Sequence, residues 1–274
     1  MVIRKRHLPP GWYPETGRDI LDQIEKWESD SLERIPLQSL TGGIIPHAGW
    51  FFSGEIAWNV IRHIPDNIEL IVVVGGHLQN GAALRVYAEE EYETPLGRIP
   101  VEKGLRDLLL DASGMMETQA DNTVEIHFPL LAALYPEASV LGLRVAPDQS
   151  AVDLGKKLYD YSLQGRRMVV LGSTDLTHYG VQYGYAPSDS KKNPLEWVSE
   201  KDHHFLESCL HYKGPAILKS SQENRNACSA GAAACAAVFS ELSGSRRAKL
   251  LSYSTSYEKQ PSDSFVGYGS ILYS

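Results

Sequence analysis

Residues 70–77 read Leu-Ile-Val-Val-Val-Gly-Gly-His, and the fold is decided there. The apolar run is too short for a helix and shows no alternation of wet and dry positions. It reads as a strand covered on both faces that ends in a glycine turn. Residues 43–46, 140–147, 168–172 and 250–255 repeat the pattern, each a short apolar run bounded by Gly or Pro. Helical spacing fills the intervals. Residues 19–30 place Ile20, Ile24 and Trp27 on one face, and residues 54–64, 102–111, 128–135, 151–163, 195–210 and 230–242 are further helix candidates. Strands alternating with helices predict an α/β fold, a central mixed sheet flanked by helices. Residues 86–101 (VYAEEEYETPLGRIPV) hold two strand-like halves around Thr-Pro-Leu-Gly, which predicts a hairpin excursion. Residues 184–193 read as an exposed loop whose flanks belong to one core, so a single layered domain spanning 1–274 is expected.

Composition removes several function classes. The 274 residues carry 26 basic and 34 acidic side chains, a formal charge of −8 with no basic stripe, which disfavours nucleic acid as a partner. The longest uncharged small-apolar stretch, 226–239, falls short of the roughly 20 residues that cross a bilayer, so no membrane span is expected. The opening MVIRKRHLPPGWYP has prolines and a glycine where a signal peptide needs an apolar core. Three sparse cysteines, Cys209, Cys228 and Cys235, suit a reducing cytosol better than a disulfide framework, and a cytoplasmic location is expected.

The polar residues at strand ends carry the functional signal. His47 follows Gly-Gly-Ile-Ile-Pro, His77 follows the strand quoted above, and Asp175 and His178 follow Val-Val-Leu-Gly-Ser-Thr. In open α/β sheets ligands bind beyond the carboxyl ends of the strands, where the loops converge. Imidazoles are common ligands for late first-row metals, and a thiolate or carboxylate supplies the balancing charge. Cys228, in Asn-Arg-Asn-Ala-Cys-Ser-Ala-Gly before a small-residue helix, is the thiolate candidate, because a helix N-terminus favours the ionised thiol. Gly75, Gly76 and Gly172 would let backbone approach closely. Each residue also has a structural reading. A strand-end His can be a hydrogen-bonded core group, Cys228 a small buried apolar residue, Asp175 and Thr177 a cap, and Glu125 with His127 a pair either on the surface or behind the site. Trp50, Phe51 and Phe52, directly after His47, read either as pocket wall or as core. No dinucleotide or phosphate-loop glycine pattern, H-E-x-x-H or G-x-S-x-G is present.

The segments IIPHAGWFFSGEIAW, YETPLGRIPV, DNTVEIHFPLLAAL, GSTDLTHYG, NRNACSAG and SDSFVGYGS, with PPGWYP near the start, occur in the order found in the Memo-like family. The chain resembles that family over essentially its whole length. The family is in turn similar to class III extradiol dioxygenases of LigB-like fold, which use non-haem Fe(II) to open catechol rings. The resemblance implies Fe(II), with Cu or Zn as alternatives, held by His47, His77 and Cys228, the last where the dioxygenases carry Glu. It implies that His178 is an acid/base histidine, that Asp175 beside it orients it or binds metal, and that His127 belongs to the pocket. The sequence departs from the family at Val74-Gly75-Gly76-His77, at Asn122 in place of a histidine, and at Ser229-Ala230. These departures touch substrate contacts more than the metal core. Three functions follow as expectations: an iron-dependent oxidoreductase, a non-catalytic module binding metal or peptide, and a zinc-dependent hydrolase. A small molecule or peptide is expected in the pocket, and the family's links to motility and redox signalling imply protein partners.

Overall fold

The computed structural model describes residues 2–30, 40–190 and 192–274. The strands, in chain order, are β1 (Ile3–Arg4), β2 (Gly42–Ile45), β3 (Leu70–Gly75), β4 (Arg85–Val86), β5 (Glu91–Thr94) and β6 (Gly97–Pro100). They continue as β7 (Met115–Met116), β8 (Ser139–Arg144), β9 (Met168–Ser173), β10 (His178–Tyr179), β11 (Ala248–Thr255) and β12 (Phe265–Tyr273). The helices are α1 (Gly17–Asp30), α2 (Glu55–Ile61), α3 (Lys103–Asp111), α4 (Asn122–Glu125) and α5 (Phe128–Leu134). They are followed by α6 (Gln149–Ser162), α7 (Pro194–Leu210), α8 (Gly214–Asn224), α9 (Ala230–Leu242) and α10 (Ser256–Lys259).

The fold is α/β, with a central mixed sheet flanked by helices. The sheet runs β10-β12-β2-β9-β3-β8-β4-β7, and β11 pairs with β12. Its middle, β2-β9-β3-β8, is parallel throughout, with Val72 in register with Leu141 on one side and Val170 on the other. Every residue of β3 and β9 is buried, as the unalternating apolar runs require. Successive residues of β2 show the layering. A Cβ on Gly42 would strike Ser240 of α9, and one on Gly43 would strike Val60 of α2, so these helices cover opposite faces.

Strand β12 and helix α8 are absent from the predicted elements, each for a physical reason. All nine residues of β12 are buried, but Gly267 and Gly269 interrupt its apolar run. They are needed because side chains there would enter Asp202 and Leu206 of α7. Helix α8 buries little apolar surface beyond Ile217 and Leu218, so its stripe is narrow. The hairpin forms where expected, β5 against β6, with Thr94 opposite Gly97.

Helix α9 lies close on the sheet because its buried face is mostly alanine. A Cβ on Gly172 would come 2.5 Å from the carbonyl oxygen of Ala232. Gly172→Val is therefore expected to lower unfolding stability by about 1–3 kcal/mol, the usual range for overpacking, measured as a reduced urea midpoint at unchanged m-value.

Candidate metal centre

Strands β2, β9 and β3 lie side by side and parallel, so their carboxyl ends open at one edge of the sheet. Each delivers a polar residue two positions past its last strand residue: His47 after Ile45, Asp175 after Ser173 and His77 after Gly75. The Cys228 loop crosses over these ends. Its N–H donates to the Asp175 carbonyl at 3.2 Å, and the Ser229 N–H donates to Thr174 Oγ1 at 3.1 Å. Gly76 makes the approach feasible, since a Cβ there would lie 2.5 Å from Ser229 Cβ. His77 takes a left-handed backbone, φ 57°, which turns its ring back toward His47.

His47, His77 and Cys228 each offer a donor atom, and the three atoms lie within 4.8 Å of one another. His47 Nε2 is 3.2 Å from Cys228 Sγ, and the two imidazoles meet edge to face with centroids 5.0 Å apart. The opposite nitrogen of each ring is anchored. His47 Nδ1 lies 3.0 Å from Ser173 Oγ, and His77 Nδ1 lies 3.2 Å from Asp121 Oδ2. Both rings therefore present Nε2 to the common centre, which is how ligating histidines are held. The donor set fits a borderline-soft divalent metal.

A further layer steadies these anchors. Ser173 Oγ also lies 2.9 Å from His127 Nε2. With His47 Nδ1–H donating to Ser173, the serine hydroxyl donates onward to His127. Behind His77, Arg144 bonds Asp121 at 3.2 Å and Glu117 at 2.6 Å, and its Nε–H donates to the Gly76 carbonyl at 2.8 Å. Asn122 donates to the His47 carbonyl at 2.9 Å.

The electrostatics match the geometry. Burial opposes the Cys228 thiolate, but the charge and hydrogen bond of His47, and the hydrogen bond of His77, outweigh it and bring the pKa down to about 6. Burial likewise opposes charge on His77, but hydrogen bonds to Asp121 and Cys228 carry its pKa up to about 10. Burial, with repulsion from His47, holds His127 down to about 3, so it stays neutral. Burial raises Asp175 and lowers His178; the attraction between the two works against both shifts.

A cavity of about 600 Å³ opens beside the centre, with Trp12, Asn122, Asp175, His178, Tyr183 and Tyr268 among its walls. A smaller one of about 280 Å³ shares His178 and Tyr183 with it and reaches Cys228. Phe51 and Phe52 line the larger cavity. Trp50 does not: it is buried against Tyr13 and Trp27 and borders a separate cavity of about 810 Å³. His127, expected on the pocket wall, is buried behind His47 instead. Glu125 does not pair with it, but accepts the His7 and Leu8 N–H groups at 2.8 and 2.9 Å, tying down the N-terminal segment. No site role for Ser173, Asp121 or Arg144 follows from the sequence. Arg144 alone left a signal, a charge inside the apolar run 140–147.

The profile of the family described as Memo-like protein matches residues 4–272. The chain belongs to the Memo-like family. This Memo-like protein is 29% identical to a MEMO1 family protein of Pyrococcus furiosus over 99% of both chains. It is 29% identical to one of Thermococcus onnurineus and 25% identical to one of Methanosarcina mazei, again over 99% of both chains in each case. Among solved structures, an uncharacterized protein of Escherichia coli K12 superposes with a TM-score of 0.51 at 13% identity, covering 85% of this chain and 99% of that one. That likeness concerns the fold alone.

Two outcomes follow for the Memo-like protein. Ser173→Ala frees the His47 ring and is expected to weaken divalent-metal binding about 10- to 100-fold, by anaerobic chelator competition, with the fold intact by circular dichroism. In metal-free protein the thiolate of Cys228 forms as pH rises through its lowered pKa. Its alkylation by iodoacetamide should therefore climb through about pH 6, below the ordinary thiol value of about 8.5. Cys209 and Cys235 are buried, with pKa values raised by burial, and should stay silent.

Proposed function

We propose that this chain is a metal-dependent oxidoreductase in which His47, His77 and Cys228 hold non-haem Fe(II) and a small chelating substrate enters the neighbouring cavity. The observation that carries this reading is the convergence of two imidazoles and one anionic ligand within 4.8 Å, beside an open polar cavity. Two neutral nitrogens and one anion balance charge as the two-histidine, one-carboxylate triad of non-haem iron oxygenases does. The sequence resemblance to the extradiol dioxygenases supports the same assignment. When bound, the iron would supply redox chemistry and a chelation point for a catechol-like substrate.

The chain's own residues supply the rest. His178 donates through Nδ1 to the Leu176 carbonyl at 3.2 Å, which leaves Nε2 as a proton acceptor. Burial keeps it neutral near pH 7, the state a general base needs. Asp175 accepts the His47 N–H at 2.7 Å, linking the base's loop to the metal ligand's loop. Trp12, Phe51 and Phe52 give the cavity an aromatic wall that shields a bound ring from water. The thiolate makes this site more electron-rich, and itself more oxidisable, than a carboxylate site would be.

A second reading, a module that binds metal or peptide without turnover, draws support from the aromatic cavity next door. Trp12, Phe51 and Phe52 border both spaces. The two readings diverge on oxygen consumption. Protein loaded anaerobically with Fe(II) is expected to hold one iron per chain and to take up O₂ with a catechol. His47→Ala should lose the iron, and His178→Ala should keep it while turning over about 10²-fold more slowly or worse. Iron bound without oxygen uptake supports the second reading. Activity with Zn(II) but not Fe(II) selects a hydrolase.

A further inference from the structure

Arg225 stands where the loop before Cys228 begins. The smaller cavity is walled by Leu176, His178, Tyr183, Tyr185, Arg225 and Cys228, so one space joins this arginine to a metal-ligand candidate and the acid/base histidine. Among the described residues, no other Arg or Lys lines either of the two cavities at the centre. The Arg225 guanidinium lies 4.5 Å from the ring centroid of Tyr185, whose hydroxyl donates to the Asn224 carbonyl at 3.1 Å. Stacking of this kind holds the plane of the guanidinium and leaves its N–H edge available for hydrogen bonds.

Several other arginines are held in ion pairs. Arg4, Arg6, Arg98, Arg106, Arg144 and Arg166 each sit within ion-pair distance of a carboxylate. Arg225 has no such partner among the described residues. It also occupies the left-handed position that ends α8, φ 53°, where glycine is the usual residue.

We infer that Arg225 is the anion-recognition residue of this site, and that the substrate carries a carboxylate or phosphate which the guanidinium engages while the remainder reaches Cys228 and His178. Arginine's fork suits both anions, since each offers two oxygens to parallel N–H donors. The inference rests on the site being the enzyme centre proposed above, and its test separates the two.

The experiment is calorimetric titration of the full-length protein, at one ionic strength, with benzoate, phenyl phosphate and neutral benzamide, with metal content measured on the same samples. At least one anion is expected to bind about tenfold tighter than benzamide or better, and the stronger of the two identifies the group. Arg225→Gln should reduce both anions to the benzamide level, and Arg225→Lys should keep part of the preference. Metal content should match the parent in both variants. Equal binding of the three compounds, or an anion preference that survives Arg225→Gln, overturns the inference. Protein that holds no metal yet prefers anions through Arg225 upholds it and contradicts the iron reading alone.

Discussion

The site depends on a close approach of backbone to backbone. Cys228 can sit over the ends of β3 and β9 only because Gly76 and Gly172 carry no side chains where Ser229 and Ala232 press against them. The alanine face of α9 serves the same end, bringing the helix down onto the sheet and its preceding loop onto the strand ends. A methyl group at either glycine would push the sulfur away from two imidazoles that the strands have already placed. Packing thus sets the position of Cys228 together with the hydrogen bond from its N–H to the Asp175 carbonyl.

Around that contact the protein arranges polarity in layers. The three donors face one another, and each imidazole is turned by a partner on its far nitrogen, Ser173 for His47 and Asp121 for His77. Those partners are themselves held, by the neutral His127 on one side and by the buried Arg144 with Glu117 on the other. Buried ionic groups of this kind contribute little net stability, and breaking one partner is costly, so such a network acts mainly to fix geometry. In the metal-free protein the charge and hydrogen bond of His47, with the hydrogen bond of His77, favour the thiolate of the half-buried Cys228.

Much of this was legible in the sequence where a local pattern reports a local cause. The apolar runs that begin at Leu70 and Met168 announce strands buried on both faces, and the residues that follow them announce the edge where ligands gather. The parallel order that makes His47, Asp175 and His77 neighbours is seen only in the structure, where each lies two residues past a strand end. What could not be read depends on distant contacts. Strand β12 is broken up by glycines that exist for the sake of α7. Ser173 looks like any strand-terminal serine until the rings of His47 and His127 are seen on either side of it. His127 and Trp50 were expected at the pocket, but a motif places a residue in the chain and not on a face, and both turn inward.

The coordination of a metal by sulfur tests the account most directly. X-ray absorption at the iron edge of protein loaded anaerobically with Fe(II) should show one sulfur and at least two nitrogen neighbours, and the sulfur should vanish in Cys228→Ser. A spectrum with only oxygen and nitrogen neighbours, unchanged by that substitution, would contradict the assignment of His47, His77 and Cys228 as one site.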